Sequence, residues 1–427
     1  MTTVYIPLFA PNLAGKRFSL AGGNPGVGGS QFTTVQFAMM LAEARPDWKV
    51  VVGNAQPLDL ESSAPNLSQE ASTDLSSFCQ GPCDRSDAVV VLMSVHFWIA
   101  DPARLLAGRG HHVIWSRHPF DAALLLPEVR RADVDVVSVG EYQWRSNMRP
   151  WLRNHYIQEA YLPAPDIGSP ARPSTAEAAL VRALHVSSMV PAKGFLDVAK
   201  AWAALKRAVP GVCLEVIGGS SLYGRSATHP LIPVERSFGE DILRHIPVAD
   251  IQQGRVRFHG TLGHEKLGVM QGCSFALLNP TGASEAFPAT PLESMSMGIP
   301  VIASDDFGMA DCMRYFPELT VQGSARIAER AAWLIADRWR YRALQARARA
   351  VAASFALQTE SSMGRWIQLV ESIASRTERP RLVASLPLHG SAGTLLRRRE
   401  VDPRLRSLKW KAIHLVGADR GHDAPKG

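Results

Sequence analysis

The 427-residue chain has little that would tie it to a membrane or to a metal. Its longest apolar run, residues 88–95, is far short of the roughly 20 residues that a membrane-spanning helix needs, so it reads as a buried strand. The N-terminus, M-T-T-V-Y-I-P, has no charged segment followed by an apolar one, and no secretory leader is expected. Five cysteines, at 79, 83, 213, 273 and 312, are scattered without metal-ligand spacing. They are expected to be free thiols of a reducing, cytoplasmic protein rather than zinc ligands. Neither a G-x-G-x-x-G fingerprint nor the lysine and hydroxyl of a Walker loop is present, which argues against a dehydrogenase and a P-loop enzyme.

An excess of positive charge on the body of the chain is also lacking. The net charge is +7, and from Arg376 onward twelve Lys/Arg stand against five Asp/Glu, an excess equal to that of the whole molecule. The remainder is close to neutral, so a basic face for nucleic acid is not expected.

What is present is an ordinary globular composition, 46% hydrophobic and 20% charged, on a chain too long for one core. Short Val/Ile/Leu-rich runs alternate with helical stretches. Strands are predicted at 50–52, 88–95, 112–115 and 134–139 in the first half, and at 180–186, 212–217, 256–259, 274–278 and 300–303 in the second. Helices are predicted over 31–44, with Ser30 as a possible N-cap, over 195–208, and over 325–353. Residues 59–87 read as irregular with one short helix. The stretch 162–173, with four prolines, is the best linker. This alternation implies two parallel sheets covered on both faces, with ligands in the crevice beyond the strand ends.

Several residues fall just after those strands. The run A-G-G-N-P-G-V-G-G-S, residues 21–30, precedes a helix, so Gly28 and Gly29 can let backbone amides approach an anion; a plain glycine-rich turn is the alternative. His96 and His118 follow strands, although a structural histidine is the commoner role. Lys193, in S-S-M-V-P-A-K-G after the strand 180–186, can neutralise a diphosphate or remain a solvated loop charge. After the strand ending at Leu278 comes a loop carrying Glu285 and a helix beginning near Thr290, with Glu293 expected in its first turn, where the helix dipole favours a carboxylate. Pro288 has no N–H, and the amides of Ala289 and Thr290 are expected to be exposed beside Glu285, where they can meet phosphate oxygens and sugar hydroxyls.

The segment E-A-F-P-A-T-P-L-E-S-M-S-M-G-I-P-V-I-A, starting at Glu285, resembles the E-x7-E signature of retaining glycosyltransferases of family 4, which have the GT-B fold. Weaker likenesses support it: V-I-G-G at 216–219, the V-x-F-x-G-x pattern ending near Leu262, the strand-end W-S-R-H-P around His118, and the crossing Y-L-P-A-P-D at 161–166. The resemblance implies two Rossmann-like domains facing each other across a cleft. Residues 1–165 would form the acceptor side and 166–355 the nucleotide-sugar donor side. Residues 356–376 would be a helix returning to the first domain, and 377–427 a basic tail.

It further implies that Glu293 binds the ribose, Glu285 the transferred sugar, and Lys193 the leaving diphosphate. Phe287 with the amides of Ala289 and Thr290 would shape the sugar and phosphate pocket; Gly28, Gly29 and Leu262 would lie on the donor, and His118 near sugar and acceptor. No metal or other cofactor is implied beyond the nucleotide-sugar substrate, and the partner would be a glycan or lipid-linked acceptor, as in bacterial surface polysaccharide synthesis. One departure stands out. The family's usual G-R-L run carries a second phosphate-binding cation, and here the aligned residues are Ser187, Ser188 and Met189, with Arg225 as the substitute that the sequence offers.

Two rival readings follow: a non-catalytic partner subunit, motivated by Ser188, and a sugar-nucleotide-modifying enzyme such as an epimerase. The tail, with Arg397, Arg398, Arg399, Arg404, Arg406, Lys409, Trp410 and Lys411, reads either as a solvated extension or as a peripheral contact with an anionic inner membrane face.

Overall fold

The computed structural model describes residues 2–10, 13, 15–21, 23–93, 102–118, 134–148, 152–159, 181–220 and 227–375. His96, the crossing at 161–166, the proline-rich stretch 162–173, Arg225 and the basic tail lie outside these residues.

The first half is built on β1 (Thr3–Pro7), β2 (Arg17–Ser19), β3 (Lys49–Asn54), β4 (Asp59–Glu61), β5 (Leu67–Ala71), β6 (Ala88–Met93), β7 (His111–Ser116), β8 (Val134–Ser138) and β9 (Arg153–Tyr156). Seven of these form one parallel sheet in the order β5-β3-β1-β6-β7-β8-β9, and β2 pairs with β4 apart from it. Val4 lies opposite both Val50 and Val89. Strands buried on both faces need continuous apolar runs rather than alternation, and all six residues of A-V-V-V-L-M in β6 are buried.

The second sheet is parallel as well, with β10 (Arg182–Val186), β11 (Cys213–Ile217), β12 (Val256–Gly260), β13 (Phe275–Leu278) and β14 (Val301–Ala303) in the order β12-β11-β10-β13-β14. The chain runs outward from β10 to β12 and then returns to β13, so the strand order reverses between β10 and β13. That point is where an open α/β sheet leaves a crevice. The helix Phe195–Ala208 buries Phe195, Val198, Trp202 and Leu205 along one side, as its spacing predicts.

Three local expectations need correction. The helix Gly29–Ala44 starts at Gly28, whose N–H is taken by the Gln31 side chain at 3.2 Å, so Ser30 lies inside the first turn and is not the cap. Residues 59–87 hold β4, β5 and the helix Leu75–Gln80; β5 gains order by pairing with β3, a long-range contact that its polar L-S-Q-E-A sequence does not announce. The helical stretch 325–353 is two helices, Ile327–Ala336 and Arg338–Ala356. They are broken by extended Asp337, whose carboxylate accepts the Trp339 and Arg340 N–H groups at 2.8 and 3.0 Å.

The final helix, Gln358–Ala374, lies against the first half. Trp366 packs between Phe37 and Trp115, with ring centroids 4.8 and 5.3 Å away, and Glu371 pairs with Arg45. All five cysteines are buried and free. Among the described residues, no helix is long and apolar enough to cross a membrane.

Candidate functional site

A cleft of about 350 Å³ lies between the two sheets, lined by residues that follow the carboxyl ends of their strands. All the residues singled out from the sequence and described in the structure meet there: Gly28, Gly29, His118, Lys193, Leu262, Glu285, Phe287, Ala289, Thr290 and Glu293.

The glycine-rich loop forms one end. Asn24 folds it, its Oδ1 accepting the N–H groups of Gly26 and Val27 at 2.9 Å each. Gly26 has φ +89°, and a Cβ there would lie 3.5 Å from the Leu262 carbonyl, so the loop rests on the turn after β12 in the other half. At Gly29 an added Cβ would meet nothing within 4 Å, so the space in front of it is open.

At the reversal point, Lys193 ends the short turn Pro191–Lys193, and Gly194 follows with φ +75°. A Cβ on Gly194 would sit 2.9 Å from Pro280, so glycine lets the turn nest against the loop after β13. Lys193 Nζ then reaches Glu285 Oε1 at 2.8 Å, and Asn279 Nδ2 donates to the same oxygen at 3.1 Å. Asn279 and Ser284 bracket this loop with φ +37° and +61°, unusual for residues other than glycine.

Glu293 differs from its expected placement. The helix Ala289–Ser296 has no acidic residue in its first turn. Glu293 lies one turn further along, where it pairs with Lys266 at 2.6 Å, so the dipole argument for a first-turn carboxylate does not apply. The Ala289 amide is not exposed either: the tight turn at Pro288 directs it to the Phe287 carbonyl at 3.0 Å.

Two further charged groups line the cleft that sequence reasoning did not assign. Arg117 and Glu159 form a two-pronged ion pair, 2.9 Å at each contact, with side chains only 5% and 4% exposed. Arg117 also donates to the Ser30 carbonyl and to Thr34 Oγ1, fastening the start of the helix Gly29–Ala44 to the end of β7. Burial pushes the Glu159 carboxyl up despite the Arg117 charge. Arg117 lies beside His118 in the W-S-R-H-P segment, and that adjacency was the signal available. The His118 carbonyl accepts Gln143 Nε2 at 2.6 Å, which fixes the backbone there.

Behind Lys193, His185 is fully buried, and that burial lowers its imidazole to about 4. The ring is therefore neutral: Nδ1–H donates to the Leu277 carbonyl, and Nε2 accepts from the Ser187 hydroxyl, both at 2.7 Å.

The halves also touch directly below the cleft. Asp311 accepts the Tyr142 N–H at 3.0 Å, and Arg314 pairs with Glu141 at 2.5 Å. Burial raises Asp311 to about 7, opposed by the Tyr142 N–H and the Arg314 charge.

Residues 180–351 match the family model described as glycosyl transferases group 1. The match takes in β10 to β14 and both glutamates, and stops short of the first sheet. No curated protein matches the chain in sequence. Several solved structures share its architecture over most of its length. Sucrose-phosphate synthase from Thermosynechococcus elongatus is 16% identical with a TM-score of 0.60, over 88% of this chain and 100% of that one. HepE of Anabaena, in complex with UDP and glucose, is 15% identical with a TM-score of 0.56, over 86% and 100%. A glycosyltransferase from Rickettsia africae is 11% identical with a TM-score of 0.60, over 88% and 99%. At such identities the likeness establishes the fold, which is GT-B: two Rossmann-like halves facing each other across a cleft.

Proposed function

We propose that this protein is a glycosyltransferase that moves a sugar from a nucleotide-sugar donor to a glycan or lipid-linked acceptor with retention, in the manner of family 4. The observation that carries this reading is the convergence of Glu285, Glu293 and Lys193 in one interdomain cleft at the strand-order reversal, inside the segment that matches the glycosyl transferases model.

In this reading Glu293, steadied by Lys266, accepts the ribose hydroxyls, and Glu285 accepts those of the transferred sugar. Lys193 transfers its contact from Glu285 to the departing diphosphate, stabilising the charge that develops as the glycosidic bond breaks. Phe287, the Thr290 amide and the loop at Gly28 and Gly29 wall the phosphates and sugar from water. His118 faces the acceptor. No step is assigned to a metal. Synthesis of a bacterial surface polysaccharide, at the inner face of the plasma membrane or free in the cytoplasm, is the setting we favour for such an acceptor.

The test is calorimetric titration with UDP, GDP and ADP, repeated on Lys193→Ala and Glu293→Ala. Saturable binding of one nucleotide, weakened in both variants, is expected. The anomeric configuration of the product, read by NMR, then checks retention. Absence of binding by folded protein would favour a non-catalytic partner subunit, the reading that Ser188 motivates, and turnover without consumption of an acceptor would favour an epimerase.

A further inference from the structure

The departure at residues 187–189 leaves a specific trace. Ser188 is 6% exposed and lines the cleft, and its hydroxyl has no hydrogen-bond partner. Its neighbour differs: the Ser187 hydroxyl is held by His185 at 2.7 Å. The backbone reinforces the contrast. Ser187 N–H donates to the Ile217 carbonyl and Met189 N–H to the Gly219 carbonyl, whereas the Ser188 N–H has no acceptor among the described residues. Buried hydroxyls and amides are nearly always paired, so two adjacent unpaired donors lining a cleft are suited to a ligand that brings an acceptor.

We propose that Ser188 binds a phosphate oxygen of the nucleoside diphosphate through its hydroxyl and its N–H, in place of the arginine seen in similar proteins. This rests on the glycosyltransferase reading above. The chemistry selects an anionic oxygen: both groups are donors, and Lys193 stands five residues on in the same strand-end turn. A sugar hydroxyl brings a donor of its own, whereas an anionic phosphate oxygen only accepts, and hydrogen bonds to an anion are the stronger ones. The charge that an arginine would have supplied is then shared between Lys193 and neutral donors, an arrangement that also serves in glycine-rich phosphate cradles.

The experiment uses the full chain, Ser188→Ala and Ser188→Thr, titrated with the nucleoside diphosphate that the wild type binds and, by ligand-observed NMR, with the matching uncharged nucleoside. Ser188→Ala is expected to weaken the diphosphate by about tenfold or more, the usual size for a hydrogen bond to a charged group, and to leave the nucleoside unchanged. Ser188→Thr, which keeps the hydroxyl, should stay within about threefold of wild type. Removing an unpaired buried hydroxyl costs the free protein nothing, so the melting temperature of Ser188→Ala should equal or exceed that of wild type. Unchanged diphosphate affinity in Ser188→Ala, or equal losses for diphosphate and nucleoside, overturns the proposal. Failure of the wild type to bind any nucleoside diphosphate overturns the glycosyltransferase reading itself, and this one with it.

Discussion

Asp311→Asn tests whether the seam between the two halves carries a buried charge. The Asp311 carboxyl is 4% exposed, faces Glu141 and Arg314, and holds the Tyr142 N–H across the seam. Its ordinary value of 3.8 rises to about 7 on folding, because burial disfavours the anion more than its donors favour it. A raised carboxyl stabilises the folded state fully below its unfolded value, and that contribution fades as pH rises through the folded value. The interval from 3.8 to about 7 corresponds to about 4 kcal/mol, at 1.36 kcal/mol for each pH unit. Wild type is therefore expected to lose up to that amount between pH 4 and pH 8 through this one group. Asparagine keeps the oxygen that accepts from Tyr142 and cannot ionise, so the variant should lack this decline. Urea denaturation at intervals between pH 4.5 and pH 8.5 measures it: the stability difference, variant minus wild type, should grow with pH and level off above about 7. Parallel pH profiles for the two proteins would refute the argument.

Gly29→Ala should fold as wild type does, within about 0.5 kcal/mol, because the added Cβ meets nothing within 4 Å; nucleoside diphosphate affinity should nevertheless fall, since the methyl occupies the space an anion needs, and unchanged affinity would remove this loop from the donor site. Lys266→Met leaves Glu293 without its 2.6 Å partner; binding should weaken by about tenfold and discriminate less between ribose and 2′,3′-dideoxyribose nucleotides, as titration of both will show. Glu285→Gln removes the negative charge that faces Lys193 at 2.8 Å, so nucleoside diphosphate should bind more tightly while sugar transfer, followed by product release, falls by about two orders of magnitude.

Much of this was legible in the sequence, and the parts that were not share a cause. Runs such as A-V-V-V-L-M at β6 and the F-L-D-V-A-K-A-W pattern from Phe195 declare strand and helix because burial imposes period and composition on them. β5 is L-S-Q-E-A and declares nothing, since its order comes from β3 alongside it. The glutamates and Lys193 were visible through spacing, but their partners were not. Lys266 meets Glu293 across 27 positions, and Arg117 meets Glu159 from the end of a different strand. Those pairings change the electrostatic argument. Read singly, Lys193 is a cation waiting for phosphate. In the structure, Arg117, Lys193 and Lys266 each face a carboxylate, and the charged side chains lining the cleft balance. A diphosphate is then not drawn in by excess positive charge. On the function proposed above, it has to displace a carboxylate from a lysine, and the hydroxyls of its sugar then satisfy the carboxylate so released. Binding of the phosphate and of the sugar are coupled by that exchange, which favours a complete nucleotide sugar over either of its parts.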